Sequence, residues 1–290
     1  MKRCYEIAGI RVTLDTEHDF HEYRFYDLFR VDDDALPDYY FKYTEVEKVE
    51  VDAGVKLIYS NARFDVYEKD GIEYRYYKAK SNESRSRYDA YIYLDGSRGS
   101  FLYTKEYDIS KNLSTSLSIL NNQVFEQMLL EHDAFVLHSS FIIYDGRAVI
   151  FSAPSGTGKS TQADLWEQHE GVTIVNGDRS IFKRENGDWH VYGLPMCGSS
   201  DICLNMSAPL EAVILLSQGR ENNLKPAEPK TALNKMFREC TVNIWNEHAV
   251  NKIFDLLGDI YEKAHVYTYS CTKEKDAVDV LKKELDSNRK

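Results

Sequence analysis

The chain has 290 residues, 43% hydrophobic and 29% charged, a balance that buries a core beneath a charged surface. Its formal net charge of −11, with no basic run to offset it, excludes nucleic acid and an anionic membrane as principal partners. No apolar stretch approaches the ~20 residues of a membrane helix, the opening MKRCYEIAGIRVTLD lacks a signal-peptide core, and the five cysteines form no C-x-x-C pair, so reduced thiols in the cytoplasm are expected. Cys197 and Cys203 have a poor spacing for zinc, and no paired histidine motif accompanies them.

Residues 1–112 read as a β-rich N-terminal domain. Sixteen of the twenty-one tyrosines lie there. Short β-prone runs, VKLIYS, ARFDVYE, IEYRYYKA and DAYIYL, are separated by the turn sequences KDG, SNES and DGSRGS, as in an antiparallel sheet. Asp32-Asp33-Asp34, ahead of Leu36-Pro37, reads as a solvated loop rather than a cation site. No internal repeat of 20–50 residues is visible. From Ser114 to His132 the pattern turns helical, with Leu117, Leu120, Val124, Gln127, Met128 and Glu131 at three- and four-residue steps. The domain boundary is placed near residue 112, leaving 113–290 as a second domain.

The run VIFSAPSGTGKSTQADLW, Val149 to Trp166, reads as strand, small-residue loop and helix. Ala153-Pro154-Ser155-Gly156-Thr157-Gly158-Lys159-Ser160 fits a P-loop pattern except at its first position, where the strict pattern has Gly. Gly156 and Gly158 let backbone N–H groups curl around a phosphate, and the following helix, through Thr161, offers its N-terminus to the anion. Lys159 is placed to reach β- and γ-phosphates, and the Ser160 hydroxyl to ligate Mg²⁺. Trp166 reads as core packing.

The flanking sequence departs from an ordinary parallel P-loop sheet. Asp145-Gly146 between FIIY and RAVIF signals a tight hairpin, in which Tyr144 faces Arg147. Continued without a bulge, that register sets His138 opposite Ala153. Downstream, VTIVNGDRS reads as a buried strand ending at Asp178, and Asn186-Gly187 makes a second hairpin that returns GLPMCGSSD, near Pro195, to Asp178.

Leu137-His138, the hairpin, SAPSGTGKST, NGDRS, GLPMCG and the later strand LEAVILLSQG resemble, in order, the catalytic domain of bacterial HPr kinase/phosphorylase and its relatives. The resemblance covers about residues 130–285. It implies an α/β (α+β) fold of phosphoenolpyruvate-carboxykinase type: a P-loop domain with a mixed sheet and hairpins, here preceded by the β-rich region. Relatives of this kind include kinases of peptide natural-product clusters that phosphorylate a peptide serine. The HPr enzymes carry Asp-Asp where this chain has Gly177-Asp178, and PMCGSSD lacks the Arg of their dephosphorylation signature, so a phosphorylase reaction is not expected.

The expected activity is an ATP-dependent (or other NTP-dependent) and Mg²⁺-dependent serine/threonine-type kinase acting on a hydroxyl of a peptide, protein or small molecule. Ala153 to Thr161 hold the nucleotide. Lys159 serves the transferred phosphate, Ser160 and Asp178 hold the metal, and Asp178 is the base. His138 tunes Asp178 or carries its proton. Arg179 pairs with phosphate or braces the strand, and Arg220 and Arg238 are candidates to neutralise developing charge. The Tyr-rich sheet docks the acceptor or is purely structural, and self-association is compatible with the sequence. The alternatives are a nucleotide-binding regulator without transfer and, ranked last, a carboxykinase-type enzyme.

Overall fold

The computed structural model describes all residues except 18–22, 81–86, 116, 119–122 and 290. It divides into two compact units, Met1–Phe125 and Glu126–Lys290. Among the described residues no helix is long and apolar enough to cross a membrane, and all five cysteines are free.

The first unit is built on strands β1 (Lys2–Ile7), β2 (Ile10–Thr16), β3 (Arg30–Val31), β4 (Tyr39–Glu45), β5 (Lys56–Ser60), β6 (Phe64–Lys69), β7 (Ile72–Lys78), β8 (Tyr88–Asp95) and β9 (Arg98–Tyr103). They form one nine-stranded sheet in the order β3-β1-β2-β4-β9-β8-β7-β6-β5. The sheet is mixed, not antiparallel as the short strands suggested: β2–β4 and β4–β9 are parallel. Parallel neighbours need long connections. The chain supplies one between Thr16 and Tyr39 and another in the whole β5–β8 meander.

Alternation sets the burial along β4, where Tyr39, Phe41 and Tyr43 point inward. The outer strands carry tyrosines in facing pairs, Tyr76 with Tyr91 and Tyr74 with Tyr93, with ring centroids 4.8 and 5.1 Å apart. Asp70-Gly71 forms the expected turn in the left-handed region. The expected DGSRGS turn is shorter, because β9 already begins at Arg98. The SNES segment lies outside the described residues. Asp33 accepts from Arg30 and from the Cys4 amide, and Asp32 caps the Asp34 amide, so this acidic run is a bonded loop.

The single helix expected from Ser114 to His132 is not continuous. The structure has α1 (Ile109–Leu113), capped by Asp108, and α2 (Phe125–Glu131). Leu120 lies outside the described residues. Val124 has φ of 44°, left-handed backbone that no α-helix passes through and that a β-branched residue rarely adopts. Burial of Val124, Phe125, Met128 and Leu129 produced the apolar spacing without one continuous helix.

The second unit contains β10 (Ala134–Tyr144), β11 (Arg147–Ser152), β12 (Thr173–Asn176), β13 (Arg179–Glu185), β14 (Asp188–Tyr192), β15 (Ser207–Gln218), β16 (Asn223–Pro226), β17 (Cys240–Thr241) and β18 (His265–Cys271). Its helices are α3 (Lys159–Glu170), α4 (Pro229–Glu239), α5 (Glu247–Lys263) and α6 (Lys275–Asn288). The sheet runs β11-β10-β13-β14-β15-β18-β16, with β12 and β17 also on β10. Both hairpins keep the expected register, from Tyr144–Arg147 to Ser139–Ser152 and from Glu185–Asp188 to Ile181–Tyr192. On its other side β11 pairs in parallel with β15, which itself lies parallel to β18.

Strands β11 and β15 are buried on both faces, which explains their unbroken apolar runs. Val149, Phe151, Ala212 and Ile214 meet α3 and α6 through Ala163, Trp166, Val278 and Leu281. Ala148, Ile150, Val213 and Leu215 share a core with Met236 of α4 and Ile253, Leu256 and Ile260 of α5.

In the first unit, Gly99 sits opposite Phe41 in the β4–β9 ladder, and a Cβ there would overlap the buried Phe41 ring. Gly99→Ala should therefore lower stability by ~1–3 kcal/mol, the usual cost of overpacking. A urea unfolding midpoint equal to that of the native chain would contradict the packing described.

Candidate functional site

Strand β11 ends at Ser152, and residues 153–158 turn the chain into α3. Gly156 and Gly158, at φ of 77° and 114°, take left-handed conformations that fold the loop back on itself. Gly158 is the N-cap of α3 and supplies no side-chain cap, so the first amides of this twelve-residue helix are left to a ligand or solvent. Lys159 folds over the loop. Its Nζ donates to the Ala153 carbonyl at 2.8 Å and approaches that of Pro154 at 3.4 Å, leaving the side chain only 6% exposed. Burial lowers its pKa, against the opposing pull of Glu239 and Asp178. Gln218, at the end of β15, donates to the Gly156 carbonyl at 3.3 Å and ties the loop to the central strand.

His138 lies where β10 changes partners. Residues up to His138 pair with β13, and from Ser139 onward with β11. The pairing with Ala153 extrapolated from the hairpin is not formed; His138 is opposite Arg179 instead, while its carbonyl accepts from Ser152 Oγ at 3.1 Å, keeping it beside the loop. Its Nδ1 is 2.8 Å from Glu239 Oε2, and its Nε2 is 3.5 Å from Asp178 Oδ1. The imidazole thus bridges two carboxylates.

Asp178 sits between β12 and β13, with Arg179 Nε 3.4 Å from Oδ2. Burial pushes its carboxyl pKa up, but the His138 hydrogen bond and the charges of Arg179 and Lys159 outweigh burial and hold it below the ordinary value. Asn176 organises this corner. Its Oδ1 accepts from the Asp178 and Arg179 amides at 2.9 and 3.0 Å. Its Nδ2 donates to the Leu194 and Met196 carbonyls at 3.0 and 2.9 Å. The segment after the second hairpin is thereby fixed against Asp178, and Gly198, at φ of 54°, packs so closely that a Cβ would lie 2.8 Å from Asp178 Cγ.

A cavity of about 530 Å³ opens on one side of the loop, lined by residues 152–157, the end of β15, and Lys235, Arg238 and Glu239 of α4. A smaller one of about 250 Å³ lies on the helix side, bounded by Thr157, Gly158, Thr161, Gln162, Gln218 and the turn after β18. Of the residues singled out in the sequence, Lys159, His138, Asp178 and Arg179 are gathered beside the loop without lining either cavity, and Ser160 is exposed on the first turn of α3. Arg220 lines neither cavity. Trp166 is buried with its ring against Tyr144. Glu239 and Asn176 were not legible as site residues: Glu239 reaches His138 from 101 positions away. Asn176 carried one signal, an amide side chain ending an otherwise apolar strand. Among the described residues no group of three or more His, Cys, Asp or Glu side chains could hold a metal.

These observations define an α/β protein whose second unit sets a glycine-bearing loop and a helix N-terminus beside a carboxylate bonded to an imidazole. The model of one family, described as SynChlorMet cassette protein ScmC, matches residues 108–259, a stretch that contains the loop, His138, Lys159, Asn176, Asp178, Arg179 and Glu239. The chain belongs to the ScmC family. A solved structure, the Hpr(Ser) kinase/phosphatase from Coxiella burnetii, is similar at 17% identity and a TM-score of 0.29, over 53% of this chain and 95% of that one. No curated protein matches the chain.

A depressed carboxylate pKa has a defined consequence for stability. The ionised Asp178 contributes stability in full above the unfolded pKa of about 4, and the contribution is lost as pH falls from there through the lower folded value. The stability difference between the native chain and Asp178→Asn should accordingly be widest near neutrality and close below pH ~4. Urea midpoints measured across that range test it; a gap independent of pH would mean that His138 and Arg179 do not hold the carboxylate charged.

Proposed function

We propose that this protein is a nucleotide- and Mg²⁺-dependent kinase that transfers the terminal phosphate of ATP to a hydroxyl of the serine or threonine type. The observation that carries the reading is the convergence of the buried Lys159, folded over the loop, with an Asp178 carboxylate that His138, Arg179 and Lys159 hold ionised. Phosphoryl transfer asks chiefly for positioning and charge neutralisation, and this arrangement is suited to both.

In this reading the amides of residues 153–158 and the first turn of α3 cradle the phosphates, and Lys159 turns from the Ala153 carbonyl toward the bridging and terminal ones. Asp178 orients the acceptor hydroxyl and takes its proton. Glu239 fixes the imidazole of His138, which in turn sets the orientation of Asp178. Mg²⁺ suits the donor chemistry: the Ser160 hydroxyl and Asp178 carboxylate are hard oxygen ligands, and this ion takes few protein oxygens, completing its shell with phosphate and water. When bound it neutralises phosphate charge. The resemblance to peptide-serine kinases in HPr-kinase-like sequences supports a peptide or protein acceptor. Residues 1–112 are assigned to acceptor docking and 113–290 to catalysis. The second reading, a nucleotide-binding regulator, is favoured by one feature, Gly177 where the HPr enzymes have a second Asp.

Removing the fixed cation of the cradle in Lys159→Ala should abolish measurable nucleotide binding. Asp178→Asn should leave ATP binding in place while transfer falls about 10²–10⁴-fold, the usual contribution of a general base. Nucleotide titration beside single-turnover transfer separates the readings. Near-native transfer by Asp178→Asn would move the base elsewhere, and ATP binding by the native chain without transfer to any hydroxyl would favour the regulator.

A further inference from the structure

The larger cavity contains two cations that the machinery above does not use. Lys159 is committed to the loop carbonyls, and Arg179 to Asp178 and to Thr241 Oγ1 at 3.1 Å. Lys235 and Arg238 differ. Both line the cavity and are exposed, and among the described residues neither has a hydrogen-bond or ion-pair partner. They are three apart on α4, so they share a face, and two like charges at that spacing repel. An anion placed between them would relieve the repulsion and gain two charge-assisted hydrogen bonds.

The position of the pair distinguishes which anion this is. The helix-side cavity is bounded by Gly158, Thr161 and Gln162 and offers a place for the nucleoside end of a nucleotide. The larger cavity instead borders residues 152–157 and Glu239, which bonds His138 beside Asp178. Glu239 links this cavity to the proposed base through His138, although Asp178 itself is not part of the lining. A volume of about 530 Å³ admits a hydroxyl-bearing group together with a neighbouring side chain.

We infer that Lys235 and Arg238 form a carboxylate-recognition subsite, so that the acceptor is an acidic molecule whose hydroxyl lies next to a carboxylate. The inference rests on the kinase reading for the role of the cavity. In the step itself the acceptor O–H gives its proton to Asp178, its oxygen bonds to the γ-phosphorus of ATP, and the bond from that phosphorus to the bridging oxygen breaks, releasing ADP. The two cations hold the acceptor by its carboxylate and take no part in this exchange.

A serine flanked by acidic residues in a peptide and a free hydroxy acid present the same chemistry, so both are titrated. The probes are a short peptide with serine between glutamates, its glutamine counterpart, and malate beside its diamide, each added to full-length protein with a non-hydrolysable ATP analogue and Mg²⁺. At least one acidic probe should bind about tenfold or more tighter than its uncharged partner, the discrimination of a charge-assisted hydrogen bond. In the double variant Lys235→Ala, Arg238→Ala that preference should vanish while analogue affinity stays within about twofold, and Lys235→Arg should retain the preference. Both side chains are exposed, so the variants should fold. An equal preference for uncharged probes, or an acidic preference that survives the double variant, would overturn the inference. Loss of analogue binding in the double variant would also overturn it, by assigning the cations to the nucleotide. A native chain that binds no nucleotide would instead fail the kinase reading, a result visible before any acceptor is added.

Discussion

Strand β10 changes neighbours between His138 and Ser139, and the site depends on that exchange. Five residues of the strand pair with β13 and the next six with β11. The junction brings the end of β11, and therefore its loop, beside the start of β13, and therefore Asp178. The Ser139 amide donates to the Asp178 carbonyl at 2.9 Å, and Ser140 Oγ donates to the Gly177 carbonyl at 3.1 Å. The register is fixed by the turn at Asp145-Gly146, both in the left-handed region. A slip of one residue would send Val149 and Phe151 to the opposite face and carry the loop away from the carboxylate.

Around that junction the charges are arranged by burial as much as by attraction. Lys159 is enclosed by its own loop, and its charge is supported at a distance by carboxylates on two different elements, Asp178 and Glu239. His138 joins those same two carboxylates, so a change in any one member is felt by the other three. Groups coupled in this way respond as a set, and single substitutions report differences within the set rather than separable contributions. The outer frame is neutral by contrast. Asn176 fixes the backbone with four hydrogen bonds and adds no charge of its own.

Local chemistry in the sequence was sufficient for much of this. Asp145-Gly146 and Asn186-Gly187 specified both hairpins and their registers, because a two-residue turn leaves no freedom in the pairing. The glycines of the loop and the apolar run before it located the strand-to-helix junction. What the sequence concealed was non-local. The parallel contacts of β4 depend on which distant strand returns beside it, and Glu239 becomes a neighbour of His138 only after α4 has packed against the sheet. The apolar spacing around Val124 misled for a related reason, since buried side chains recur at helical intervals even where the backbone turns left-handed.

Gly177 sits where the corner leaves no room for a side chain. A Cβ at Gly177 would collide with the Ser200 side chain. That serine is anchored, donating to the Cys197 carbonyl at 2.7 Å and accepting from the Ile202 amide at 3.4 Å. An aspartate cannot enter at 177 while Ser200 keeps this place. The two positions are therefore sterically coupled: any side chain at 177 requires the Ser200 side chain to leave its bonds to Cys197 and Ile202.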